Sequence, residues 1–175
     1  LAAAELLQRE AVETARETLG NRHPSTLTCL DNLGVLLEAK GDFAAAESLI
    51  REALEVQRAT LGSRNPSTLS TMTHLGSLLH RKGDLAAAEL LQREAVETAR
   101  ETLGNRHPST LTCLDNLGVL LEAKGDFAAA ESLIREALEV QRATLGSRNP
   151  STLSTMTHLG SLLHRKGDLA AAELL

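Results

Sequence analysis

The stretch LDNLGVLLEAKGDF, residues 30–43, returns 42 residues later as MTHLGSLLHRKGDL, residues 72–85. Both copies keep a Leu-Gly step, a leucine pair and Lys-Gly-Asp, and they differ at most positions between. Working outward, residues 85–168 repeat residues 1–84 letter for letter, and LAAAELL at 169–175 starts the cycle again. Within each 84-residue block the two halves align without gaps, so the unit is 42 residues, used four times in a two-unit alternation. A fixed period of this size marks units that stack on their neighbours. Whether each unit is built of helices or strands then separates a helical solenoid from a propeller.

The unit reads as two helices. In FAAAESLIREALEVQRATL, residues 43–61, the apolar Phe43, Ala46, Leu49, Ile50, Ala53, Leu54, Val56 and Leu61 fall mainly three and four apart, which draws one stripe along a helix. Asp42 stands at the N-cap and Gly62 follows as a left-handed stop. This is helix B. Helix A, PSTLSTMTHLGSLLHRK at 66–82, opens on Pro66 after the cap Asn65 and carries Leu69, Met72, Leu75, Leu78 and Leu79 on one face. It ends on Arg81 and Lys82 and is closed by Gly83 before Asp84 caps the next helix B. The turn from A to B is only about two residues, which forces an antiparallel hairpin. Along the chain the pattern predicts helix B at 1–19, A at 24–40, B at 43–61, A at 66–82, B at 85–103, A at 108–124, B at 127–145, A at 150–166 and a truncated B at 169–175. Gly34 and Gly76 inside helix A cost about 1 kcal/mol each relative to alanine. The Ala-Ala-Ala opening of helix B offers a reason, close approach of small residue to small residue.

Composition narrows the function. Trp and Tyr are absent and Phe43 and Phe127 are the only aromatics, so Leu, Ala, Val and Ile must supply the core, a palette that suits helices. The net charge is −5, with no basic block interleaved with aromatics, which argues against nucleic acid as a partner. No apolar run approaches the roughly 20 residues of a membrane span, and the first residues lack the pattern of a signal peptide. The expected location is cytoplasmic, with no membrane partner. Cys29 and Cys113 are lone residues without C-x-x-C spacing, and packing distances put them roughly 20 Å apart, so reduced thiols are expected.

The residues Leu30, Leu33-Gly34, Leu37, Gly41-Asp42, Phe43, Ala46, Ile50 and Ala53 together resemble the tetratricopeptide repeat (TPR) signature, a hairpin repeat of about 34 residues. Two departures stand out. Leu or Met replaces the large aromatics usual in helix A, and Arg16 or Arg58 replaces the proline that usually ends helix B. Helix B then runs on for about a turn, and the longer unit, with LG…HP between helices, is similar to the 42-residue repeats of the kinesin light chain type. The resemblance implies an all-α, right-handed helical-hairpin solenoid of four repeats whose inner face, lined by the A helices, holds a peptide or protein segment.

The two alternating units differ at 17 positions, eight of them on helix A. Six of these, at 28, 31, 32, 35, 38 and 39, form one helical stripe. By the resemblance, this stripe corresponds to the groove-lining face. The candidate binding residues are therefore Thr28, Asp31, Asn32, Val35, Glu38, Ala39, Ser70, Thr73, His74, Ser77, His80 and Arg81. The second block adds Asp115, Asn116, Val119, Glu122, Thr157, His158, Ser161, His164 and Arg165. Asn32 and Asn116 match the asparagine with which TPR grooves hold a peptide backbone, and His74 and His158 take its place in the even units. The clamp that captures a C-terminal carboxylate needs basic residues where Asp31, Thr73, Thr28 and Ser70 stand here, so such capture is not expected. A solvated face also drifts at little cost after duplication. Charge alternates along the stripe: residues 1–42 hold four basic against seven acidic residues, residues 43–84 five against four. Such bands would suit a ligand of mixed charge. Equally, they could pair with one another.

Ser77 and His80 lie three apart on one helix, but no carboxylate orienter or oxyanion site accompanies them, so no enzyme is expected. His74 and His80 are six apart, off the spacing that places two ligands on one metal, and no cofactor or metal is expected. The leading expectation is a non-enzymatic binding scaffold. The alternative is a structural array, a natural expansion or an engineered one, that self-associates head to tail through uncapped terminal helices.

Overall fold

The computed structural model describes residues 2–167. Leu1 and the truncated helix B expected at 169–175 lie outside the described residues. Every regular element within them is an α-helix: α1 (Ala2–Leu19), α2 (Pro24–Ala39), α3 (Phe43–Leu61), α4 (Pro66–Lys82), α5 (Leu85–Leu103), α6 (Pro108–Ala123), α7 (Phe127–Thr144) and α8 (Pro150–Lys166). The chain is a helical-hairpin repeat in which even-numbered helices are A helices and odd-numbered ones are B helices.

Two different glycine closures separate the helices. After α4, Gly83 is left-handed (φ 91°, ψ 2°), its N–H reaches the carbonyl of His80, and the Asp84 N–H reaches that of Leu79 at 2.9 Å. This six-to-one closure lets the Asp84 carboxylate turn back at once to cap the Ala87 N–H of α5. After α3, Gly62 takes φ 81° with ψ 159°, a region open to glycine almost alone. The chain then makes a tight turn in which the Asn65 N–H donates to the Gly62 carbonyl at 3.3 Å, and the Asn65 side chain caps the Ser67 N–H at 2.9 Å. The buried hydroxyl of Thr68 fastens the loop by donating to the Gly62 carbonyl at 2.9 Å. In the odd units His23 replaces the asparagine, and its Nδ1 accepts from Ser25 N–H at 3.1 Å. An accepting Nδ1 requires the neutral ring with its proton on Nε2.

Two compact units, Leu1–Leu91 and Gln92–Leu175, divide the chain within α5. In the first, α1 packs on α2, α2 on α3, and α3 on α4. Its core is aliphatic: Leu30, Leu37, Ile50, Met72, Leu75, Leu78 and Leu79 are all fully buried, each contributing about 1.5–3 kcal/mol of burial. In the second, α6 packs on α7, and α8 packs on both α6 and α7. Leu114, Leu120, Ile134, Leu159 and Leu162 fill its core.

Gly34 is where the hairpin closes most tightly. A Cβ there would lie 2.9 Å from Cγ1 of Ile50 and 3.8 Å from the Ala46 carbonyl oxygen. The Ala-Ala-Ala opening of α3 therefore does not account for this glycine by itself. The nearest neighbour is the branched Ile50 side chain, one turn further on, which the glycine admits into the seam.

The Arg that replaces the helix-ending proline also has a partner. Arg16 near the end of α1 pairs with Glu52 of α3, and Arg100 donates to both carboxylate oxygens of Glu136 in α7 at 2.7 Å. These links join successive B helices. The lysine of Lys-Gly-Asp likewise reaches the preceding B helix: Lys82 Nζ lies 2.7 Å from Glu47, and Lys166 Nζ 2.8 Å from Glu131. Each of these carboxylates also takes an arginine one turn on, Arg51 or Arg135. The lysine above all holds Glu47 and Glu131 below the usual carboxylate pKa; burial opposes it, ahead of the Arg51 contribution at Glu47 and behind that of Arg135 at Glu131.

Candidate functional site

The variable stripe faces outward from both compact units. On α2, Thr28, Asn32, Val35 and Ala39 are exposed, with Val35 at 52%, and Asp31 and Glu38 are half-buried. On α4, Ser70 and Arg81 are exposed, and Thr73, His74, Ser77 and His80 are half-buried. In the second unit Asp115, Asn116, Val119, Glu122 and His158 are half-buried, and Thr157, Ser161, His164 and Arg165 are exposed. The shared helix A residues Leu27, Leu33 and Leu37 are buried. Substitution between units is thus concentrated where a side chain can change without opening the core.

The fold brings part of the stripe into contact. His74 Nε2 lies 3.1 Å from Glu38 Oε2, and His74 Nδ1 lies 3.6 Å from Asp31 Oδ1. Arg81 pairs with the other Glu38 oxygen and places its guanidinium 5.3 Å from the centre of the Phe43 ring. Asp31, then Glu38, raises the His74 pKa above the ordinary histidine value, while half-burial opposes them. The second unit repeats the arrangement with Arg165 on Glu122 at 2.6 Å, Arg165 over Phe127 at 5.6 Å, and His158 beside Asp115 at 3.4 Å. The acidic and basic bands therefore pair across neighbouring A helices within each unit.

Several hydroxyls bond within their own helix. Thr28 donates to Pro24, Thr73 to Leu69, Thr157 to Leu153 and Ser77 to Thr73, each to a backbone carbonyl. The Ser77 hydroxyl is thus directed at its own helix and not at His80.

An open cleft of about 420 Å³ lies between the first halves of α2 and α4 in the first unit. Stripe residues Thr28, Asp31, Asn32 and Ser70 line it, with Leu27, Pro24, Pro66, Ser67 and Thr71, and Gln57 and Leu61 of α3 complete the wall. Sequence reasoning missed Gln57. The available signal was a polar residue inside an apolar helix face where the odd units have Ala15 and Ala99.

The tetratricopeptide repeat family profile matches residues 1–59, 36–101, 67–143 and 119–175, which together span the chain. The chain belongs to the tetratricopeptide repeat family. No curated protein matches it. Among solved structures it is similar to a Podosopora anserina protein described as a kinesin light chain with nearly identical TPR-like repeats. The identity is 27%, the TM-score is 0.85, and the match covers 98% of this chain and 82% of that one. A single-substitution form of the same protein superposes with a TM-score of 0.87. BtubC (BKLC) from P. vanneervenii shares the fold at 23% identity and a TM-score of 0.85, covering 99% of this chain and 69% of that one. TPR repeats are typically scaffolds for protein–protein interaction, generally non-enzymatic. No described helix is long and apolar enough to cross a membrane.

Proposed function

We propose that this TPR protein binds a peptide or protein segment along the A-helix stripe, without catalysis, in a reducing cytoplasm suited to its lone thiols. The observation that carries this reading is the coincidence of two patterns. Six of the eight helix A differences lie on one outward-facing stripe, and an open cleft lined in part by that stripe lies between α2 and α4. On this face Asn32 is exposed and Asn116 half-buried, and in this reading they bond the peptide backbone. The Asp31, Glu38, His74 and Arg81 pairs rim the groove with both signs of charge, which supports selection among ligands by charge pattern. A peptide array probed with the purified chain tests this. Asn32→Ala/Asn116→Ala is expected to weaken every authentic binder, and binders indifferent to it would remove the groove assignment.

A further inference from the structure

The cleft between α2 and α4 contains a buried oxygen for which the protein supplies no donor, and beside it a carboxylate oxygen held only by a long ion pair. Gln57 is 6% exposed, and its side-chain carbonyl oxygen is buried without a hydrogen-bond partner. Asp31 Oδ1 is buried too and has only the long ion pair to His74 Nδ1 at 3.6 Å, which leaves it room to accept a hydrogen bond. Both residues line the cleft, and no lysine, arginine or histidine does. In the second unit Gln141 Oε1 and Asp115 Oδ1 are buried without a hydrogen-bond partner, and there His158 faces the other Asp115 oxygen. A buried acceptor left without a donor costs about 1–3 kcal/mol, so its recurrence calls for an explanation.

The helix starts beside the cleft do not supply the missing donors. Pro24 and Pro66 have no N–H, and the N–H groups of Ser25 and Ser67 are bound by the His23 and Asn65 caps. Donors from outside would satisfy the oxygens, and the net charge of −5 favours their being cationic. Leu27, Leu61 and the two prolines provide an apolar wall for an aliphatic stem. An apolar stem ending in several N–H donors and a positive charge is the chemistry of lysine and arginine.

Resting on the groove reading above, we infer that this cleft is a subsite for a basic side chain of the bound peptide, with Gln57 and Asp31 as its acceptors. The subsite confers selectivity by leaving the acceptors unsatisfied when any other side chain enters.

Fluorescence anisotropy tests this with labelled pentapeptides that differ only in a central Arg, Lys, norleucine or Glu. The Arg and Lys peptides should bind about tenfold tighter than the norleucine peptide, the size of a hydrogen bond to a charged group. Gln57→Leu/Gln141→Leu leaves the net charge unchanged, so it should remove most of the preference of the Arg and Lys peptides over the norleucine peptide while the melting temperature stays unchanged. Gln57→Glu/Gln141→Glu, the second variant, should strengthen Arg and Lys binding. A basic preference that survives in full in the leucine variant would reduce it to diffuse attraction and overturn the subsite. Equal binding of all peptides, weakened by Asn32→Ala, would overturn the subsite and leave the groove standing. Absence of binding by any peptide would overturn both.

Discussion

Gly34 shows how one residue can carry opposite instructions at two levels. Helix propensity alone predicts that Gly34→Ala stabilises α2 by about 1 kcal/mol. The close approach of Ile50 Cγ1 predicts overpacking, which costs about 1–3 kcal/mol. The second effect should win, so Gly34→Ala is expected to lower the urea midpoint. In an Ile50→Ala background the same change should become neutral or stabilising, because the obstructing side chain is gone. Additive effects of the two substitutions would contradict this account. His74 gives a residue-scale prediction in pH. Its folded pKa is raised, chiefly by Asp31 and then by Glu38. The stability it contributes is therefore fully present below the unfolded value, about 6.5, and is lost as pH rises through the folded value. The stability difference between the wild type and His74→Asn should be larger at about pH 5.5 than at about pH 9. A difference independent of pH would show that the Asp31 and Glu38 contacts do not hold in solution.

At the scale of the element, the helices are delimited by their caps. Asn65→Ala should cost about 1 kcal/mol, because the Ser67 N–H loses its acceptor. His23→Asn should preserve or raise stability, since asparagine serves the same position in the even units. Thermal denaturation of the single variants checks both, and an Asn65→Ala protein as stable as the wild type would contradict the cap. Much of this was legible in sequence. Asp42, Asn65, Gly62 and Gly83 are local signals, and their work is done within a few residues of the chain. The histidine cap was not legible, because imidazole becomes a cap only in one tautomer and one loop geometry. Nor were the destinations of Lys82 and Arg16. The sequence marks them as the end of a helix and a departure from proline, but their partners Glu47 and Glu52 lie 35 and 36 residues away and depend on how hairpins stack. The stripe was legible as a face through its spacing. That its charges pair across α2 and α4 required the two helices to be placed side by side.

For the whole molecule, the repeat makes stability a sum over neighbours. Adding one further 84-residue block is expected to raise both the urea midpoint and the steepness of unfolding, the latter because more surface is exposed. An unchanged midpoint would mean that the blocks do not couple. Function should be divided the same way, with the packed positions shared by all units and the binding positions confined to the stripe. The most direct measurement takes peptides selected from a random display library against the purified chain and compares their affinity for two surface variants. Val35→Lys/Val119→Lys alters the stripe, whereas Ser48→Lys/Ser132→Lys alters an exposed position on helix B. Binding weakened at least about tenfold by the first and unchanged by the second is the expected result, the size of an interface hot spot. The reverse pattern, or equal affinity for both variants, would contradict the assignment of the A-helix stripe as the binding face.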